Sequence, residues 1–521
     1  QGLLNVSESG TVKKYKNSEL SLEDLANDIG VDYIFQSSVK PDANGYHLRY
    51  RLFDSNKGKD RFTEKKFIES TNLQSIASVL VEIIVKELDI ETSDAFTRIE
   101  YDSEAYDLYL KSKSVYSLSD NYDDNLKAVE LMKQAISKDQ NLVLAQIYLG
   151  QMQYELGYFA EASIIYEKAL SRSKSLQDNA GVAESLRKQG QLLRKNKDYE
   201  AALAKFGEAL SISTVMNDKS SMAKTYNSMA ILNFRTDDKD NALKNWLHAL
   251  AIVEEFGDKP KISKYLNNIG IWYWKDDDYS KSIEYYQKSL LIKRELGDVR
   301  NIAKTLNNLG EVYFAMGDYT NSTKQFDESI EIKEKLKDDK GLNTALYNRG
   351  ETYFYSFEYN RAIDDFRRTI KMIDDEESDH ERYRYIGMSH FYLSNFDSCN
   401  FYLKKSDEFF ANDYRKRLAI LPYLVISYMK TGDNTLSNTA LKNFRDIIAD
   451  NDPPDKDYII TNWAAYKALS AVNEKSEAAE YLENAYFMLK SKSKDIKNKQ
   501  DRKKYLSAKL HENITNEWSK R

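Results

Sequence analysis

Leu306-Asn307-Asn308-Leu309-Gly310-Glu311-Val312-Tyr313, followed by Gly317-Asp318-Tyr319, is the stretch that decides the fold. Its glycine belongs to a series, Gly150, Gly190, Gly270, Gly310 and Gly350, on a forty-residue beat, with Ala230 at the one missed position. Glycine inside a helix costs about 1 kcal/mol relative to alanine, so its periodic return needs a steric cause: a second helix passing too close for a larger side chain. Twelve residues after the beat stand Ala162, Ala202, Ala242, Ser282, Ser322 and Ala362. Sixteen after it stand Tyr166, Phe206, Trp246, Tyr286, Phe326 and Phe366, and nineteen after it a small residue returns, Ala169 to Thr369. Steps of four and three lie on one helix face. The small residues therefore read as helix contacts and the aromatics as filling between neighbouring pairs.

The breaks are as regular. Lys197-Asp198-Tyr199, Asp277-Asp278-Tyr279 and Gly317-Asp318-Tyr319 divide the units, and Asp178, Asp218, Asp258, Asp298 and Asp338 precede them. A carboxylate there accepts from the open N–H groups of the next helix. Pro260 suits a first helical turn.

This pattern resembles the tetratricopeptide repeat. The common form of that repeat has 34 residues; a forty-residue beat is similar to its longer-helix members, which bind extended peptides. The resemblance implies a mostly α fold: a right-handed superhelix of antiparallel helix pairs, preceded by a small α+β domain. The expected organisation is an α+β domain over 1–98 and a solenoid over 99–491. Its repeats are clear over 140–373 and divergent over 99–139 and 380–491. A polar capping helix over 492–521 ends it.

Composition sets bounds. The chain has 521 residues, 30% of them charged, with only 5 Pro and a net charge of −6, which does not favour nucleic acid. No run of 18 apolar residues suggests a membrane span. The single cysteine, Cys399, excludes internal disulfides, suits a reducing compartment such as the cytoplasm, and reads as buried filler. The 38 tyrosines allow a homodimer.

Before about Ile99 the beat is absent. Leu3–Val6 is short and apolar, Leu20–Ile29 is helix-like with Ser18 or Ser21 as cap, and Tyr33–Val39 alternates. Asn44-Gly45 and Asn56-Lys57-Gly58 read as turns between strands, and Leu73–Leu88 as an amphipathic helix. Ala26-Asn27-Asp28-Ile29-Gly30-Val31-Asp32-Tyr33-Ile34, with Leu52-Phe53-Asp54 and Lys57-Gly58, resembles the TolB-like amino-terminal domain. That resemblance implies the regulatory region of a bacterial signalling enzyme, a class III adenylate/guanylate cyclase or a serine/threonine kinase, whose catalytic domain lies upstream. The family's earlier strand and helix are missing and Phe62 replaces its usual tryptophan; the expectation is a fragment or a processed or divergent product.

No catalytic motif is present: no phosphate loop, no paired-histidine helix and no CxxC pair. His390 near Cys399 offers two ligands, too few for a structural zinc. The sequence thus calls for no metal, no cofactor and no enzyme activity.

In the resembled family the first helix of each pair lines the concave face. Its exposed side here carries Lys224, Lys264 and Lys304, then Asn227, Asn267 and Asn307, then Asn268, Asn308 and Asn348. Trp274 and Phe314 follow four residues after the beat. Asparagine donates and accepts, lysine attracts carboxylates and aromatics anchor interfaces. These residues form the candidate groove for a protein or an extended, partly acidic peptide, centred on 220–355. The alternative is that the asparagines bridge neighbouring helices and the aromatics are half-buried packing.

Overall fold

A computed structural model describes residues 20–29, 31–42, 45–68, 80, 83–84, 86–88, 101–118, 122–255, 257–370, 372–373, 375–451 and 459–521. The chain divides into two compact units, 1–265 and 266–521.

The first elements are α1 (Leu22–Ile29), β1 (Tyr33–Asp42), β2 (Gly45–Asp54) and β3 (Lys59–Ile68). The strands form one antiparallel sheet in the order β1-β2-β3, with Tyr50 opposite Ser37 and Glu64. Ser21 Oγ caps α1 by accepting from Asp24 N–H at 3.1 Å. Leu48, Tyr50 and Ile68 form a small core with Phe62, Leu80 and Ile83 against it. The Leu3–Val6 segment and positions 73–79 of the expected second helix lie outside the described residues; Leu80, Ile83 and Ile84 are helical.

Helices follow in pairs. The N-terminal unit holds α2 (Ser103–Leu118), α3 (Tyr122–Lys138), α4 (Val143–Glu155), α5 (Phe159–Ser175), α6 (Asn179–Lys195), α7 (Tyr199–Val215), α8 (Lys219–Arg235) and α9 (Lys239–Glu255). The division falls inside α10 (Lys259–Lys275). The C-terminal unit continues with α11 (Tyr279–Glu295), α12 (Val299–Ala315), α13 (Tyr319–Leu336), α14 (Asp339–Tyr355), α15 (Tyr359–Thr369), α16 (Glu376–Tyr392) and α17 (Phe396–Phe409). It ends with α18 (Tyr414–Thr431), α19 (Asn434–Asp450), α20 (Ile459–Ala471), α21 (Lys475–Asp495), α22 (Lys499–Leu506) and α23 (Lys509–Trp518). The fold is a tetratricopeptide-type solenoid behind a three-stranded sheet.

The beat has the expected steric cause. A Cβ on Gly310 would stand 2.6 Å from the Phe326 ring, one on Gly190 2.6 Å from Phe206, and one on Gly150 2.5 Å from Tyr166. Each aromatic thus sits over the glycine of its own pair, whereas the sequence pattern suggested the space between pairs. At the alanine beat the buried Trp246 is the counterpart. Ser282 and Ser322 donate to the carbonyls of Gly270 and Gly310 at 2.8 and 2.9 Å.

The aspartates cap as expected. Asp178 accepts from Gly181 N–H at 2.9 Å, Asp218 from Ser221 at 3.0 Å and Asp338 from Gly341 at 2.9 Å. Just before each cap the backbone turns left-handed, and these residues recur every twenty positions from Gly157 to Phe357. Half of the forty-residue unit is one helix and its turn.

The end of the chain departs from the expected single capping helix. Lys492 lies inside α21, and α22 and α23 fold back along the turns of much earlier repeats. Asp501 accepts from Ser280 N–H and Oγ, both at 2.8 Å. Lys492 Nζ donates to Asp277 at 2.8 Å, and Lys504 pairs with Asp318. Tyr279, Tyr286, Leu306 and Leu309 share one core with Leu482, Leu489, Ile496, Tyr505 and Ile514. Apolar side chains of α11 and α12 supply the reason: the last helices bury them.

Candidate peptide groove

Within each unit the first helices of successive pairs touch directly: α4 with α6 and α6 with α8, then α12 with α14 and α14 with α16. They build one wall per unit, and the second helices back it.

In the N-terminal unit the wall is basic. Glu184 and Arg187, one turn apart on α6, form a fork, with Arg187 Nε donating to Oε2 at 2.8 Å. Burial opposes the Glu184 charge, but Arg187 and Lys188 overcome it and hold the carboxyl at about 2. Lys188 is buried. Burial, and next the charge of Arg187, pushes its ammonium down to about 8. Lys224 on α8 is half-buried, and Lys264 on α10 is exposed. Although much of the Lys264 side chain is exposed, desolvation around its ammonium, then the charges of Arg187, Lys261 and Lys224, lowers it as well. Asn227 is closed in, its Oδ1 accepting from the Trp246 indole N–H at 3.1 Å. It supports a core aromatic rather than facing a ligand.

In the C-terminal unit the asparagines join adjacent repeats. Asn267 Oδ1 accepts from Thr305 Oγ1 at 3.2 Å and faces Lys293 Nζ at 3.4 Å. Asn307 and Asn348 both donate to Glu311 Oε1, at 2.8 and 2.9 Å. Burial raises Glu311 above the usual carboxylate range, and these two bonds pull against it. The bridging alternative therefore describes Asn267 and Asn348, whereas Asn307 bonds Glu311 within its own helix. The Oδ1 of Asn307 is buried without a partner. Asn268 and Asn308 are half-buried, and Lys304 is exposed. Trp274 packs on the core shared with the last helices, and Phe314 lies 5.4 Å from the Tyr355 ring. Both are half-buried, as the packing alternative has it.

The sequence reading missed Glu184, Arg187 and Lys188. It also missed Lys293 and Lys333, buried on the second helices. Burial lowers both, Lys293 to about 8. Lys293 and Lys333 stand forty residues apart, so the repeat itself carried the signal. Cys399 is buried in the core, where burial pushes its thiol up to about 12.

The tetratricopeptide-repeat family model matches residues 141–214, 221–295 and 301–375. These residues are tetratricopeptide repeats. No curated protein matches the sequence. Among solved structures, the chain is similar to a signal-transduction ATPase with numerous domains and a tetratricopeptide repeat sensor from Pyrococcus horikoshii. The two share 15% identity at a TM-score of 0.53, and the match covers 74% of this chain but 56% of that one. The apo form of RapI shows 16% identity and a TM-score of 0.48 over 66% of this chain and 97% of its own. Aspartyl phosphate phosphatase F from Bacillus subtilis shows 14% and 0.43, over 67% and 94%. At such identities the likeness is one of fold. No described helix is long and apolar enough to cross a membrane.

Proposed function

We propose that the chain is a non-catalytic interaction scaffold whose first-helix walls take an extended, partly acidic segment of a partner protein. One observation carries this reading. Lys224, Lys264 and Lys304 recur at the same place in three successive repeats, and none has a carboxylate partner among the described residues. Ammonium groups held on a wall without counter-charges attract carboxylates that arrive on another chain. In the C-terminal unit Trp274 and Phe314, both half-buried, supply apolar contact. Asn267 and Asn348 tie adjacent repeats of the C-terminal unit together and leave the contacts to the lysines.

The test screens the full chain against an array of acidic peptides and measures the best binder by fluorescence anisotropy. Replacing Lys224, Lys264 and Lys304 together with alanine should weaken that binder at least about tenfold. An unchanged affinity would remove the lysines from the interface and the reading with them.

A second reading rests on the resemblance of Ala26–Ile34, Leu52-Phe53-Asp54 and Lys57-Gly58 to the TolB-like domain: the chain is the regulatory arm of a bacterial signalling enzyme, a class III cyclase in preference to a serine/threonine kinase. Its check is the reading frame upstream of Gln1, which should encode that catalytic domain.

A further inference from the structure

The chain's net charge of −6 is not spread evenly. Between Tyr33 and Ile68, the span of the three strands, eight Lys and Arg stand against four acids, a net of +4 (8 − 4). The pleat sorts them. Leu48, Tyr50 and Leu52 of β2 are buried on one face of the sheet, so His47, Arg49 and Arg51 take the other. On that open face Arg49 lies between Ser38 and Lys65, and His47 between Lys40 and Phe67.

All four acids of the span are engaged. His47 Nε2 lies 3.1 Å from Asp42 Oδ2. Asp60 accepts from Thr63 Oγ1 at 3.2 Å and faces Arg51 at 3.9 Å. Asp54 is buried, 3.4 Å from Lys57 Nζ, and Glu64 accepts from Tyr50 on the core face at 2.8 Å. Lys40, Arg49 and Lys65 are exposed and have no carboxylate partner among the described residues. Beside them the Phe67 ring is 43% exposed and lies 4.9 Å from the His47 ring.

Unmatched cations around an exposed ring fit an anionic chain that also carries flat apolar faces. A nucleic-acid strand has both, phosphates for the cations and bases for the ring. A duplex keeps its base faces in its own stack, so the fitting strand is single. Three strands span about 10 Å, and alternate residues of β2 stand about 6.7 Å apart, room for one strand of a few nucleotides. A membrane surface fits less well, because Phe67 is the one large apolar side chain exposed on this face among the described residues. The Ser38 hydroxyl beside Arg49 suits the ribose 2′-hydroxyl, the group by which RNA is told from DNA.

We propose that the open face of the sheet binds single-stranded RNA, with Arg49 and Lys65 on phosphates and Phe67 stacked on a base. This surface is independent of the groove reading. The whole-chain charge that argued against nucleic acid does not describe it.

The experiment uses the full chain and fluorescence anisotropy with a labelled single-stranded RNA of about twelve nucleotides. The double variant Arg49→Gln, Lys65→Gln should weaken binding at least about tenfold and lower the slope of log affinity against log salt by about 1.4. Phe67→Ala should weaken it at least about fivefold through lost stacking. Lys66→Gln removes the same charge from the next position, opposite Leu48 on the core side, and should leave the affinity within about twofold at physiological salt. All four side chains are exposed, so the variants should keep the wild-type urea midpoint. A double variant that binds as the wild type does, or Lys66→Gln losing as much as the double variant, overturns the site. Unchanged affinity in Phe67→Ala overturns it too, leaving only a patch for any polyanion. Equal binding of polyglutamate of matched charge would assign the face to an acidic protein. Binding of phosphatidylserine vesicles without binding of RNA would assign it to a membrane, and either result overturns the proposal. The same sequence as DNA should bind more weakly; equal or tighter binding overturns the assignment to RNA.

Discussion

At Gly310 a single methyl group decides whether two helices can touch. The Cβ of an alanine would stand 2.6 Å from the Phe326 ring, which is itself fully buried. The ring has no open space to move into, so Gly310→Ala should destabilise the unit by about 1–3 kcal/mol, the usual range for overpacking. Gly207 is the internal control. It lies within α7, and a Cβ there meets nothing within 4 Å. Gly207→Ala should therefore stabilise by about 1 kcal/mol, because only the helix propensity changes. Urea midpoints of the two variants should move in opposite directions; a shared direction would separate the beat from packing. The beat was legible because a steric requirement repeated in space leaves a period in the sequence. The Asn227 role was not, because a buried asparagine holding an indole and an exposed one awaiting a peptide look alike as letters.

Among the elements, α22 is the one whose position least follows from its own sequence. It is short and strongly charged, yet Asp501 is buried where it meets the first turn of α11. There it accepts two hydrogen bonds from Ser280. Asp501→Ala would leave Ser280 N–H unsatisfied at a closed edge, at a cost of about 1.5–3 kcal/mol. That loss should fall on the docking of α22 and α23 rather than on the repeats. Hydrogen exchange should show amides from 497 to 518 exchanging faster while those of α12 and α14 keep their protection. Faster exchange across all of them would mean the last helices are part of the repeat core. This return was invisible in the sequence for a physical reason: the partners are 221 residues apart and occur once. Helix pairing and capping, being local and repeated, were readable; long-range contacts that occur in one repeat alone leave no period.

For the whole molecule the pH dependence of stability adds groups of opposite sign. Glu184 in one unit and Glu381 in the other are both held near 2; burial opposes their charge, but neighbouring arginine and lysine overcome it. Folded carboxyls below the usual 4.5 contribute stability that is present above that value and lost as pH falls towards 2. Glu351 has the reverse sign. Burial raises its carboxyl to about 7 against the pull of a Tyr385 hydrogen bond. The folded state then binds more protons than the unfolded one between pH 4.5 and 7, so stability declines across that window. Lys188 and Lys293, lowered by burial to about 8, impose a cost that is complete below pH 8 and eases as pH rises towards 10.5. The urea midpoint should therefore rise from pH 2 to about 4.5, sag towards pH 7–8 and recover in base. Glu351→Gln keeps the shape of the side chain and removes its titration, so it should make the sag shallower, leaving the share of Glu311, and keep the acid limb in place. A sag of undiminished depth in this variant would assign the window to another group, and the buried carboxyl beside Tyr385 would carry no proton at neutral pH.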